Sequence, residues 1–325
     1  MREWLACLTL CIAWAVGLIG LPAAHAQHPA ALHVDAQNVQ ILTGTLRRIA
    51  ASGRVRLTYR EDVLPFSFVP ENWHRPVGYS IAICSALVEA LSTRLNKPLP
   101  IEWVPVNAAN RFDVIEQERA DFECGTSSDT PQRRQHLSFS VPIFATGTRL
   151  LVRNESALHR LPDVIGKRAG VVAGTSAGPA LTDWLSGQNA AAEQPALREF
   201  ANYKQGLDAL AQGQIDALLG DEVLLHTLLI HEHKRRDYRF VGTWVSFELY
   251  GIAFKKAENA QLKIWLDGVL SRMAAERQLH ALYTRWFERR LPAGQSGAGE
   301  NLRLPLNATT QRIFEILGRG VEPFR

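Results

Sequence analysis

The chain has 325 residues, 36 Lys and Arg against 32 Asp and Glu, a formal net charge of +4, and 46% hydrophobic residues. That length and apolar content give two globular domains or one large one with ample core, and exclude a disordered or fibrous chain. The basic excess is spread out, and its one dense cluster, Lys234-Arg235-Arg236 after His231 and His233, is too short to form a nucleic-acid surface. Arginine outnumbers lysine twenty-nine to seven, so any single arginine gains meaning only from its neighbours.

The N-terminus carries Arg2, an uncharged apolar run over 4–21, and the small-x-small triplet Ala24-His25-Ala26. These are the three parts of a secretory signal peptide, residues 1–26, cleaved after Ala26 to leave a soluble exported protein. An uncleaved anchor is the competing reading, since a bilayer needs about 20 apolar residues. The cleavage triplet and the lack of basic flanks after it favour release. Cys7 is too close to the start, with most of the apolar run after it rather than before, to be placed for lipid modification; Cys7 and Cys11 leave with the signal. Cys84 and Cys124 remain, an even pair compatible with one disulfide or with two buried thiols.

From residue 55 the chain alternates short apolar runs with amphipathic ones. The pattern predicts a strand over 56–59, a helix over 81–95 with Ile81, Cys84, Leu87, Val88 and Leu91 on one face, and a strand over 101–104. Asn107 then caps a helix over 108–117, and 121–124 forms a third strand. Thr130-Pro131 reads as a helix start, with a hydroxyl cap and proline at the first helical position. A second such series follows, with strands over 168–172, 197–200 and 216–219 and helices over 176–185, 205–211 and 223–230. Strand-helix alternation of this kind implies mostly parallel sheets with helices on their faces. After a strand over 238–241 and the segment 250–254 come two helices, 259–276 and 278–288. A Gly/Ser/Ala linker, 293–299, then leads to a tail, 301–325, whose Leu302, Leu304, Leu306, Ile313, Phe314 and Leu317 predict docking on a lobe.

Gly174-Thr175-Ser176-Ala177-Gly178 matches the nucleophile elbow of serine hydrolases, between a strand-like and a helix-like run. No upstream oxyanion loop of the His-Gly-Gly type and no histidine in a motif setting accompany it, so a catalytic Ser176 is disfavoured. His226, His231 and His233 lack a fourth ligand in any metal motif and read as a solvated turn. Neither a metal nor a cofactor is expected.

Several ordered segments carry a resemblance: REDVLPFS over 60–67, VGYS over 77–80, Asn110-Arg111, DFECGTSSDTPQRR over 121–134, GTRLL over 147–151 and DALLGD over 216–221. Together they resemble the periplasmic solute-binding proteins of amino-acid ABC transporters (family 3), most closely the glutamate/aspartate-binding group. The resemblance implies the periplasmic binding protein-like type II fold, two α/β lobes joined by two crossover strands. Lobe 1 is then discontinuous, 43–146 and 250–325, and lobe 2 is 147–249. It further implies a monomer that does no chemistry, holds an amino acid between the lobes and delivers it to a membrane permease.

Residue by residue, the resemblance assigns Arg133 to the ligand α-carboxylate, with Thr126 and Ser128 as neighbouring donors. It assigns Asp221 to the ammonium, and Arg60 and Arg111 to a side-chain carboxylate. Burying these ligand charges unpaired costs several kcal/mol each, which is why two cationic clamps and an anion are needed. In the same fold Thr175 and Ser176 begin a helix whose free amides face the carboxylate. The chain departs from the group at Ala108, where the group has serine, and at Tyr203, where it has histidine; both fall in the expected distal pocket. A dehydratase on the same scaffold, of the cyclohexadienyl type, and a ligand-sensing receptor are the rival readings.

Overall fold

The structure is a computed structural model describing residues 42–70, 73–187, 195–291 and 301–319. The signal segment 1–26 and the linker 293–299 lie outside the described residues. After helix α1 (Gly44–Ser52), the chain forms strand β1 (Val55–Tyr59), the hairpin β2 (Asp62–Val63) and β3 (Ser67–Phe68), helix α2 (Tyr79–Arg94), β4 (Ile101–Pro105), α3 (Arg111–Glu116), β5 (Phe122–Glu123) and β6 (Leu137–Phe139). The predicted face of α2 is the buried one: Ile81, Cys84, Leu87, Val88 and Leu91 all enter the core. Such a stripe buries its apolar side against the sheet and leaves the polar side wet.

Two long strands follow this first unit, with a second strand-helix series between them. Strand β7 (Phe144–Arg153) leads to β8 (Arg168–Val172), α4 (Ala177–Ser186), β9 (Ala196–Phe200), α5 (Tyr203–Ala211), β10 (Ala217–Asp221) and α6 (Glu222–His231), and β11 (Tyr238–Tyr250) leads back. One sheet has the order β4-β1-β5-β12-β6, where β12 is Ala253–Lys255, and the other has the order β11-β7-β10-β8-β9. Each sheet has a parallel core, β4-β1-β5 in the first and β10-β8-β9 in the second. All five residues of β10 are buried, as expected of an inner strand covered on both faces.

The passage from β6 to β7 and the return from β11 to β12 are the two connections between the sheets. β7 and β11 pair antiparallel from Arg153 opposite Tyr238 to Phe144 opposite Tyr250, with an irregularity between Val241 and Ser246. Helices α7 (Ala260–Ala275), α8 (Gln278–Tyr283) and α9 (Ala308–Arg319) complete the chain. α9 docks as the tail pattern predicts. Phe314 is buried, Thr310 Oγ1 accepts from the Ala145 amide at 3.0 Å, and Asn307 Nδ2 donates to the Ala145 carbonyl at 3.0 Å. The tail is thus bonded to the start of strand β7.

The helix start predicted at Thr130-Pro131 gives only a single turn. Thr130 Oγ1 does cap, accepting from the Arg133 amide at 3.3 Å, but only a 3-10 turn forms over Arg133–Gln135. Leu137 is already committed to pairing with Lys255 in β6, so the chain has no length left for a helix. Asn107 also behaves as a cap, its Oδ1 accepting from the amides of Ala109 and Asn110 at 2.9 Å, although α3 itself begins at Arg111.

Cys84 and Cys124 form a disulfide that ties α2 to the loop after β5, closing a separation of 40 residues. A loop of that length restricts the unfolded chain by about 4 kcal/mol on the chain-entropy argument. Reduction, or replacement of both cysteines by alanine, is therefore expected to lower unfolding free energy by about that amount. Urea titration with and without reductant measures it, and a loss below about 1 kcal/mol would count against this account.

Candidate functional site

The carboxyl ends of the parallel strands deliver the polar side chains. Arg60 follows β1, the loop 124–128 follows β5, Ala173 to Ser176 follows β8, and Asp221 ends β10. In open α/β sheets this edge is where ligands sit, because the strands stop and the helices begin with free amides. Arg60, Arg111, Thr126, Ser128, Arg133, Thr175, Ser176, Tyr203 and Asp221, together with Leu224, line one cavity of about 10 Å³. The structure therefore brings together all nine residues that the resemblance singles out. The cavity holds about one water, so anything larger enters only when its walls part.

The three arginines are held differently. Arg60 is fully buried and its Nε and Nη2 form a forked pair with Asp62 at 2.9 and 2.8 Å, and among the described residues no hydrogen bond is made by its Nη1. Arg111, also buried, donates from Nε to Ser127 Oγ at 3.1 Å and from Nη1 to the Ala108 carbonyl. Ala108 thus meets the site through its carbonyl oxygen. Arg133 donates from Nη1 to the Ser128 carbonyl at 2.8 Å and from Nη2 to the Gly174 carbonyl at 3.3 Å. Phe112 serves both of the latter two, with its ring centroid 4.1 Å from the Arg111 guanidinium carbon and 4.7 Å from that of Arg133.

Burial, then the neighbouring Arg133, pushes Arg111 down to about 9, so it is still a cation at neutral pH. Burial likewise lowers Arg133, against the support of Glu248, Asp221 and Glu123. Glu123 is an anion that sequence reasoning overlooks. It is buried, it faces Arg111 and Arg133, and neither carboxylate oxygen has a hydrogen bond. A glutamate inside the apolar strand run Phe122–Glu123 is the signal that could have found it, since a buried charge is rarely left without a partner. Glu248 is the second omission. It is buried on crossover strand β11, accepts from Ser246 Oγ at 2.6 Å and Thr148 Oγ1 at 3.3 Å, and lies beside Asp221.

Gly174 has a φ of +75°, and a Cβ there would lie 2.5 Å from the Ala108 carbonyl oxygen, so glycine allows this loop to meet the Arg111-bearing segment. Thr175 Oγ1 donates to the Val172 carbonyl at 2.7 Å, and Ser176 precedes α4. Among the described residues no hydrogen bond joins Ser176 to a histidine, as a nucleophile elbow would require. Tyr203 opens α5, where Asn202 Oδ1 accepts from the Gln205 amide at 2.9 Å. Its buried hydroxyl faces the Asp221 amide without a well-formed hydrogen bond, and burial followed by Asp221 raises the phenol.

Asp221 accepts from the Tyr250 hydroxyl and, at 3.5 Å, from Thr148 Oγ1. It is pushed up to about 6, first by burial and then by Glu248, against relief from Tyr250, Arg133 and Arg111. An aspartate in the unfolded chain ionises near 4, so between about pH 4 and pH 6 the unfolded state loses its proton first. Folding stability therefore declines as pH rises through that window, by on the order of 3 kcal/mol. Asp221→Asn is expected to match the parent at pH 4 and to exceed it in unfolding free energy at pH 7. Denaturant titrations at the two pH values measure this, and equal stability at pH 7 would refute it.

A profile of the bacterial extracellular solute-binding proteins, family 3, matches residues 55–289. The L-glutamate/L-aspartate-binding protein of Pseudomonas aeruginosa is 28% identical over 278 residues, 84% of this chain and 88% of that one. The ABC transporter glutamine-binding protein GlnH of Bacillus subtilis is 24% identical, over 75% of this chain and 85% of its own length. Among solved structures, the ancestral amino acid-binding protein AncCDT-1, a precursor of cyclohexadienyl dehydratase, superposes with a TM-score of 0.63 at 22% identity. That match covers 75% of this chain and all of that one, 100%.

Proposed function

The chain belongs to family 3 of the bacterial extracellular solute-binding proteins and has their type II fold of two α/β lobes, and from that premise we propose that it captures an acidic amino acid and releases it unchanged to an ABC transporter permease. In this reading it acts as an exported monomer, cleaved after Ala26, with lobe 1 over 43–146 and 250–325 and lobe 2 over 147–249. One observation carries the proposal: three guanidiniums and a buried aspartate border the same cavity. A free amino acid brings a carboxylate and an ammonium, and an acidic one brings a second carboxylate.

Arg133 takes the α-carboxylate, with hydroxyls and amides of Thr126, Ser128, Thr175 and Ser176 around it. Asp221 takes the ammonium, and Glu248 strengthens the negative potential there. The distal carboxylate falls to Arg111 and to the remaining Nη1 of Arg60, with the unpartnered hydroxyl of Tyr203 as a third donor. Because the Asp62 carboxylate already neutralises Arg60 while Arg111 is bonded only to neutral groups, Arg111 is the main determinant of acidic preference. The Tyr203 ring shortens the pocket, so aspartate binds at least as well as glutamate.

Calorimetry against the twenty amino acids tests the assignment, with heat expected from aspartate and glutamate; binding of only neutral or basic ones would sink it. Arg133→Ala is expected to abolish binding of every amino acid, since it removes the partner of the group they share. Arg111→Ala should cost acidic ligands about 3 to 5 kcal/mol and leave glutamine nearly unaffected. Equal losses for glutamate and glutamine would show that Arg111 does not set selectivity.

The same experiment has a pH arm. Protonated Asp221 cannot pair with an ammonium, and in the unliganded chain its carboxyl stands at about 6. Affinity is therefore expected to be level above pH 6.5 and to fall by up to tenfold between pH 6 and pH 5. A flat profile across that range would remove Asp221 from the ammonium site.

A further inference from the structure

Glu123 is buried beside the site yet takes no charged group of the ligand. It is 1% exposed, and among the described residues neither of its carboxylate oxygens has a hydrogen bond. A bare carboxylate is costly to bury unless the potential around it is strongly positive.

Its own sheet supplies no such potential. In β5 it stands between Thr58 of β1 and Ala253 of β12, neither of them charged, and Thr58 Oγ1 accepts from the Cys124 amide at 3.3 Å. The charges that face it come from other segments, Arg111 on α3 and Arg133 in the 3-10 turn. Arg60, after β1, is the third. A Cβ added at Gly125 would overlap Glu123 Oε1 and lie 3.7 Å from Arg60 Cδ, so the carboxylate and the Arg60 stem meet at one point of the loop after β5.

None of the three gives Glu123 a hydrogen bond. Arg60 donates to Asp62, Arg111 to Ser127 Oγ and the Ala108 carbonyl, and Arg133 to the Ser128 and Gly174 carbonyls. Glu123 therefore acts on these guanidiniums through its charge alone, and a Coulomb interaction falls off with distance far more slowly than a hydrogen bond does. Arg60, Arg111 and Arg133 border the cavity, while Glu123 is not among the residues that do. It is a charge held back from the ligand and felt by whatever approaches the same cations.

The consequence for a ligand depends on the ligand's own charge. Aspartate brings a second carboxylate to Arg111, and Glu123 repels it. Asparagine brings an amide of nearly the same shape with no net charge to repel. Both carry the same α-carboxylate and ammonium, so the effect of Glu123 on those groups cancels when the two ligands are compared.

We infer that Glu123 is a specificity-determining residue of opposite sign to Arg111: held behind the arginines, it limits how far the pocket prefers a side-chain carboxylate to the matching amide. The inference rests on the reading that the ligand side chain ends at Arg111. Arg111 supplies the attraction that selects an acid, and Glu123 sets its upper limit. The same anion lets three guanidiniums pack in one dry site, so the pocket forgoes part of its acid preference in order to be formed before the ligand arrives.

The test is calorimetry with L-aspartate and L-asparagine on the parent chain, Glu123→Gln and Glu123→Asp, with cooperative thermal unfolding as the check that each variant is folded. The readout is the ratio of the two affinities, which a loss of packing common to both ligands does not move. Glu123→Gln removes the charge at nearly constant volume and is expected to raise the aspartate-to-asparagine ratio at least fivefold. Glu123→Asp keeps the charge but draws it back by one methylene, and should raise the ratio by less. An unchanged or lowered ratio in Glu123→Gln, or in Glu123→Asp should the first variant not fold, overturns the inference. Failure of the underlying reading is distinct: a parent chain that binds neither ligand removes that reading, and this inference with it.

Discussion

Three guanidiniums gathered around one cavity would repel each other, and the rest of the site is organised by that constraint. Burial makes the repulsion stronger, since the local dielectric falls while the charges stay. The chain answers with anions on each side. Asp62 forks onto Arg60, Glu123 stands beside Arg111 and Arg133 without a hydrogen bond of its own, and Asp221 with Glu248 faces Arg133 across the cavity. The Phe112 ring lies under two of the cations and offers its negative face to both. Asp221 holds its proton to an unusually high pH because it is buried and, next, because Glu248 stands beside it, and the cations nearby do not offset that in full.

That balance depends on the crossover strands. Arg60 and Glu123 belong to the first sheet unit, while Asp221 ends a strand of the second and Glu248 and Thr148 sit on the paired crossovers β11 and β7. Polar bonds between the two sides include Arg133 to the Gly174 carbonyl, Thr227 to the Leu64 carbonyl, and the loop clip from the Asp129 amide to the Leu249 carbonyl at 2.8 Å, and one apolar cluster runs through both. Helix α9 bonds to Ala145 at the foot of β7 and so steadies the strand that carries one side of the site. A site made from opposite charges on two sheet units is one whose assembly and ligand capture draw on the same electrostatics.

The α/β alternation was legible because its signals are local. The stripe of α2, the strand through 217–219 and the tail positions around Phe314 each follow from spacing alone, although β10 runs on to include Gly220 and Asp221. So did the residues that line the cavity, because the resemblance fixes them by motif and order. Where prediction failed, the cause lay in distant pairing. Thr130 caps as its type requires, yet the helix it announces never grows because Leu137 pairs with Lys255 more than a hundred residues away.

What the sequence determined by itself was the order of elements and the identities of the charged groups, since these depend on residue type and short-range spacing. What only the tertiary structure decided was which charges pair and which do not. Whether Glu123 finds a hydrogen bond, whether Asp221 meets Tyr250, and whether Cys84 and Cys124 are joined are questions of distance between segments remote in the chain. Electrostatic energy and hydrogen bonding depend on that separation within a few ångströms, and it is set by how the sheets and crossovers pack.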